Sequence, residues 1–185
     1  PDEAARILAE EVLHRRLKLK KWNEKVERWI NRINFAARHF PETEIPSINT
    51  DERKLLVEQV CYGAFSYREI KDCEVWPILN DWLIEEQHGL LRSLAPERVF
   101  LKERTSCRVR YDDEGRAFLR ATIEQLYDAP KRIALGEGKV PLLFEVLAPN
   151  ATVVQVTSNL EEFWSHIYPQ IRKGLKGRFP RHEWR

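Results

Sequence analysis

An α+β fold, with a helical N-terminal part followed by a small mixed β-sheet and flanking helices, is predicted by three features of this 185-residue sequence. Apolar residues recur every three or four positions from Ala5 to Phe40 with no glycine or proline between them, the period of a helix face. After Ala95–Pro96 the texture changes to short alternating runs, RVFL at 98–101, CRVRY at 107–111 and RAFLRATI at 116–123, and alternation is the period of a half-buried strand. Behind two further strand-like runs, LLFEVLAP and TVVQVTS, helical spacing returns in SNLEEFWSHIYPQIRKGL. The expected division is a helical region over 1–95 and a small α+β region over 96–185.

The first forty residues read as one long amphipathic helix or two in tandem. Unbroken, such a helix would reach ~55 Å at 1.5 Å per residue, longer than a small domain needs, so a break is expected near Lys21–Asn23, with Asn23 capping the restart. PETEIPSI, residues 41–48, is a connector with two prolines. Asn49, Thr50 or Asp51 then caps a helix through Leu55, Leu56, Val60 and Cys61, ending near Gly63. Short helices are expected around 67–71, 75–83 and 84–94, where Trp76, Trp82 and Leu90–Leu91 read as core, not ligand contacts. DDEG, residues 112–115, is turn chemistry joining two strands as a hairpin. A short helix around 123–127 and a loop through APKRIALGEGK precede the LLFEVLAP strand, whose continuous apolar run places it inside a sheet. Asn159 with Glu162, or Ser158 with Glu161, opens the last helix, and Pro169 is expected to kink it.

Composition excludes several classes. With 43% hydrophobic and 32% charged residues the chain is ordinary globular material, and no run approaches the ~20 apolar residues of a membrane span. The acidic start PDEAARILAEE is unlike a secretory signal, and the absence of methionine suggests a piece of a longer or processed protein. Cys61, Cys73 and Cys107 are odd in number and widely spaced, which favours a reducing, cytoplasmic setting and no metal site. The net charge of +2 conceals two basic ends, with ten Lys/Arg against six Asp/Glu in residues 1–40 and fifteen against eleven in residues 101–185. They flank an acidic middle of six against twelve.

No catalytic constellation is visible. GEGK, residues 136–139, resembles the end of a phosphate loop, but Ile133 and Val140 stand where that loop needs Gly and a hydroxyl. The five histidines show no metal-ligand pairing, and Asp112, Asp113 and Glu114 read either as a cation site or as solvated turn residues. Basic candidates are better. Alternation puts Arg108 and Arg110 on one face of their strand, and Arg116, Phe118 and Arg120 on one face of the next. Arginines interleaved with an aromatic suit nucleic-acid stacking and phosphate contact, though these residues read slightly better as a solvent face balanced by the acidic tip. RRLKLKK, residues 15–21, is a solvated helix face or a phosphate contact. The ending adds Arg172, Lys173, Lys176, Arg178 and Arg181 with Phe179 and Trp184, either a ribbon for phosphates or an aromatic anchor for a neighbouring domain with a basic rim.

The segment from Val140 to Trp184 resembles the C-terminal signature of bacterial HrpB-type ATP-dependent DExH-box helicases. Val140–Pro141–Leu142, Leu147–Ala148–Pro149, Gln155–Val156–Thr157, Leu160, Phe163–Trp164, Tyr168, Arg172–Lys173 and Gly177 to Trp184 match that family's pattern, and looser similarity reaches back to about Trp22. Asn159 replaces a family Asp, Val153 a family Pro, and the family's Arg-x-Gln-Glu-x-Phe-Gly run reads here as Thr122 to Asp128. The resemblance implies a non-catalytic accessory region that follows two ATP-hydrolysing domains. ATP and Mg²⁺ then belong to the parent protein and no cofactor to this segment. The implied partners are the upstream helicase core and RNA or another single-stranded nucleic acid, met by the basic candidates above. The Gly and Pro of GRFPRH are expected to hold the ending extended, so that Phe179 and Trp184 dock. A protein-docking platform without nucleic-acid contact is the rival expectation.

Overall fold

In the computed structural model, which describes all residues from Pro1 to Arg185, the N-terminal pattern forms two helices, α1 (Asp2–Leu13) and α2 (Glu24–His39). Asn23 caps α2 as its sequence suggests, its side chain accepting the Lys25 N–H at 3.0 Å. The break, however, opens already at His14, ahead of the expected Lys21–Asn23. Arg15 takes a left-handed φ of 61°, and the N–H groups of Arg16 and Leu17 both turn back to the Glu11 carbonyl, which satisfies the end of α1 in the manner of a left-handed C-terminal cap. RRLKLKK is therefore a connecting segment and not a helix face. Leu19 and Trp22 misled the periodicity because a buried loop leucine, 2% exposed, keeps the same spacing as a helical one.

The structure divides into two units, Pro1–Leu91 and Arg92–Arg185. In the first, α1 packs against α3 (Thr50–Cys61), which begins with a reciprocal Asn49–Glu52 capping box. Val26, Trp29, Ile30, Ile33, Phe35 and Ala36 bury one face of α2. The 41–48 connector holds a 3₁₀ turn at Pro41–Thr43. The Asn34 amide pins it by donating to the Ile48 carbonyl (3.0 Å) and accepting the Ile48 N–H (2.7 Å). Three short helices follow, α4 (Tyr67–Ile70), α5 (Trp76–Asn80) and α6 (Glu85–Leu94). Trp76 meets Trp29 edge-on at 5.9 Å, and Trp82 donates its indole N–H to the Pro46 carbonyl, so both serve packing.

The second unit is built on a five-stranded mixed sheet in the order β1-β2-β3-β6-β7. Its strands are β1 (Arg98–Lys102), β2 (Thr105–Tyr111), β3 (Ala117–Thr122), β6 (Leu143–Leu147) and β7 (Val153–Thr157). β1, β2 and β3 are successive antiparallel neighbours; β6 lies parallel to β3, and β7 returns antiparallel to β6. A parallel pair needs a crossover, supplied by α7 (Ile123–Leu126) and the stretch expected as loop. That stretch carries a two-strand ladder, β4 (Ala134–Leu135) with β5 (Val140–Pro141). GEGK is the tight turn between them, with positive φ at Gly136, Glu137 and Gly138. It leads into a strand and opens no helix, so these residues do not fit a triphosphate cradle. One sheet face buries Cys107, Val109, Tyr111, Leu119, Phe144 and Val146, and sheltering such a row from water is the main stabilising term of the unit.

The last helix continues through Pro169. It runs as α8 (Leu160–Glu162), a π-helical turn (Phe163–Ile167) and α9 (Tyr168–Arg178). The wider turn lies just ahead of the proline, where the missing N–H and the ring's clash with the preceding turn disturb regular α-helical bonding. Gly174 and Gly177 continue in α9, and the chain then turns at 180–182, where the His182 N–H donates to the Phe179 carbonyl (3.3 Å), so GRFPRH is a helix end and a turn and not the extended ribbon expected.

Candidate nucleic-acid interface

The β2–β3 hairpin sets the site. Asp112 closes its tip by accepting the N–H groups of Glu114 (3.0 Å) and Arg116 (2.8 Å) and the Arg116 Nε (2.7 Å). Glu114 also pairs with Arg116 at 3.0 Å. Burial pushes the Asp112 carboxyl up, but these hydrogen bonds outweigh it and leave the group below its usual range. The acidic tip is thus turn chemistry.

Register then aligns the arginines. Arg98 stands opposite Arg108, Phe100 opposite Ser106, Arg110 opposite Phe118, and Arg120 opposite Glu145. Residues directly opposite share a face, so Arg108, Arg110, Phe118 and Arg120 all lie on the side of the sheet turned to water, together with Phe100, which is 69% exposed. Glu145 is the carboxylate among them. Its side chain, 15% exposed, pairs with Arg110 through Nη2 and with Arg120 Nε at 3.1 Å. Arg108 has no anionic partner. Arg116 lies 5.3 Å over the Phe118 ring, a cation–π contact that fixes the ring in place.

The C-terminal candidates form a separate group, joined to the sheet face by no hydrogen bond, ion pair or ring contact. Arg172 is not free for a ligand: its Nε donates to the Arg185 carbonyl (2.9 Å) and its Nη2 to that of Trp184 (3.1 Å). Tyr168 donates to the Arg185 carbonyl (3.0 Å), and the Tyr127 hydroxyl accepts the Arg185 N–H (3.2 Å). Burial, and then the nearby Tyr168 hydroxyl, push the Tyr127 group well above its usual range, so it stays neutral. Trp184 donates its indole N–H to the Phe179 carbonyl (2.8 Å), and Arg178 stacks 5.2 Å over Phe179. The ending is a latch folded onto its own unit, with both aromatics half-buried there. Lys173, Lys176, Arg178 and Arg181 remain exposed and outside any ion pair.

Comparison with known proteins places this geometry. A family model described as ATP-dependent helicase C-terminal, HrpB_C, matches residues 56–185, which takes in the whole of the sheet and the latch. The chain belongs to the HrpB C-terminal family. The ATP-dependent RNA helicase HrpB of Escherichia coli (strain K12) is 24% identical over 192 residues, spanning 99% of this chain and 23% of that protein. Two crystal structures share the fold. That of the E. coli DExH-box NTPase HrpB has a TM-score of 0.80 at 23% identity, over 96% of this chain and 22% of that one. That of the Escherichia coli DEAH/RHA helicase HrpB has a TM-score of 0.69 at 23% identity, over 90% and 22%. The chain thus spans under a quarter of the length of the relatives it matches.

Two residues of this HrpB C-terminal region escaped the sequence. Phe100 was legible in principle, since Arg98 and Phe100 alternate with the apolar Val99 and Leu101. Glu145 was not, because its arginines reach it only across the parallel β3–β6 pairing, which no local pattern announces.

Proposed function

We propose that this region is the non-catalytic accessory part of an ATP-dependent RNA helicase, docking on core domains that carry ATP and Mg²⁺ and holding single-stranded RNA on the open sheet face. The observation that carries this reading is the row of Phe100 and Phe118 interleaved with Arg108, Arg110 and Arg120 on one exposed face. Ring faces stack on any base, and guanidinium groups pair with phosphate in bidentate fashion. Lys173, Lys176, Arg178 and Arg181 offer further phosphate contacts along the helix and tail. A cytoplasmic, RNA-handling parent protein is consistent with three free cysteines and with the absence of a helix long and apolar enough to cross a membrane.

The test is binding of a single-stranded oligoribonucleotide at several salt concentrations. Binding should weaken with a log–log slope of about −0.7 for each phosphate contacted, and Arg108→Glu should lower affinity and flatten that slope. Absence of binding at low salt, or a flat slope, removes the reading. The docking-platform reading is favoured by a different observation: Leu55 and Tyr62, seven positions apart along α3 and its C-terminal cap, line one shallow pocket and are 53% and 64% exposed, unusual for neighbouring large apolar side chains. On that reading Leu55→Ser with Tyr62→Ser releases the region from its core domains while RNA affinity is unaltered.

A further inference from the structure

In the helical unit, a groove of about 690 Å³ opens where α1 ends and the connecting segment passes α3. Leu13, Leu17 and the Trp22 indole line it with three cations, Arg15, Lys18 and Arg53, and one carboxylate, Glu27. Glu27 is fully used. It accepts Trp22 Nε1 at 3.0 Å and holds Arg53 in a two-point pair at 2.8 and 3.0 Å, which sets the guanidinium 6.0 Å from the indole centre. The other carboxylates nearby are committed too, Glu11 to Arg16, Asp72 to Lys20 and Glu74 to Lys21. Arg15 and Lys18 therefore face the groove with no counter-charge. Arg15 moreover occupies a left-handed φ of 61°, a conformation glycine adopts without cost and arginine does not. That backbone is accounted for by the cap it makes at the end of α1, but the Arg15 side chain, like that of Lys18, is left without an ion pair on the rim of the groove.

We propose that this groove binds one nucleotide of a single-stranded nucleic acid, its phosphate between Arg15 and Lys18 and its base against Trp22. An acidic peptide fits less well. The unit has no strand edge to pair a peptide backbone, and although Val12, Leu13 and Leu17 are half-buried along the groove, the acidic residues of a peptide would gain no planar contact with the indole. A flat indole–guanidinium platform held by a carboxylate suits a planar ring. The site extends the nucleic-acid reading to a second unit and does not depend on the sheet face.

The experiment titrates the whole chain with 5′-AMP and follows the Trp22 indole N–H resonance. Inorganic phosphate and an alternating Glu–Leu peptide serve as separate probes. A saturable shift is expected with 5′-AMP, with phosphate weaker by about tenfold, since it lacks the stacking ring. Arg15→Gly should weaken 5′-AMP by about fivefold or more while leaving Tm unchanged or higher, because the variant relieves the backbone, and Lys18→Ala should weaken it comparably. No shift at Trp22, unchanged affinity in both variants, or tighter binding of the peptide than of 5′-AMP overturns the proposal. Because the readout is local to Trp22, failure here and failure of the sheet face to bind RNA are separate results.

Discussion

Glu145 sets how much positive charge the open sheet face presents. It is mostly buried, and its two oxygens hold Arg110 and Arg120 side by side. Glu145→Gln removes that counter-charge, so RNA affinity should rise and the salt slope steepen by up to about one contact, ~0.7. The arginines are about half exposed, which limits the loss of stability to about 1 kcal/mol or less. A fall in RNA affinity would instead show that the carboxylate matters for positioning. Glu27 makes a pH prediction. Burial raises its pKa, but hydrogen bonds from Arg53 and Trp22 outweigh this and leave it lowered from 4.5. A carboxyl depressed in the folded state stabilises above its unfolded pKa, and that contribution is lost as pH falls through the folded value. Thermal melts should show a loss below about pH 4.5 that is smaller in Glu27→Gln. Burial pushes the Cys61 thiol up to about 11, so it should react slowly with alkylating reagents near neutral pH until the chain unfolds.

At the scale of elements, caps and turns were legible because their chemistry is local. Asn23, Asn49 and Asn159 each accept the N–H of the residue two or three positions on, so a short window of sequence contains the whole interaction. The final helix is less settled by sequence. A Cβ at Gly174 or Gly177 would meet nothing within 4 Å, so neither glycine is demanded by packing inside this unit. Glycine in a helix interior costs about 0.5–1 kcal/mol relative to alanine. Gly174→Ala should therefore raise stability by roughly that amount in chemical denaturation, and Gly177→Ala by less, one residue from the helix end. A destabilised Gly174→Ala would mean that the helix surface is closer to its neighbours than the structure shows.

At the scale of the whole molecule, the two units have their own cores and their own tests. Phe144 sits fully buried on β6 between β3 and β7, and Phe144→Ala should cost about 3–5 kcal/mol, unfolding the sheet unit first. The latch is a milder device. Arg172→Ala removes two donors to the last two carbonyls, and should raise amide exchange over residues 179–185 at a cost of about 1–3 kcal/mol. If RNA affinity fell more for Arg172→Ala than for Lys173→Ala, the latch itself would have to be part of the binding surface.

The sequence by itself determined most of the helices and sheet strands in their order, the α+β class, the hairpin and the arginine–aromatic alternation, because each rests on contacts between residues a few positions apart; the β4–β5 ladder and the π-helical turn it did not. Where α1 stops, what Glu145 neutralises and where the ending goes were decided only by tertiary structure. Leu19 and Trp22 keep a helical spacing while serving a connecting segment, and the tail becomes a latch only because Tyr127 and Arg172, outside it along the chain, offer hydrogen bonds to its backbone. Long-range partners of that kind leave no period in a sequence.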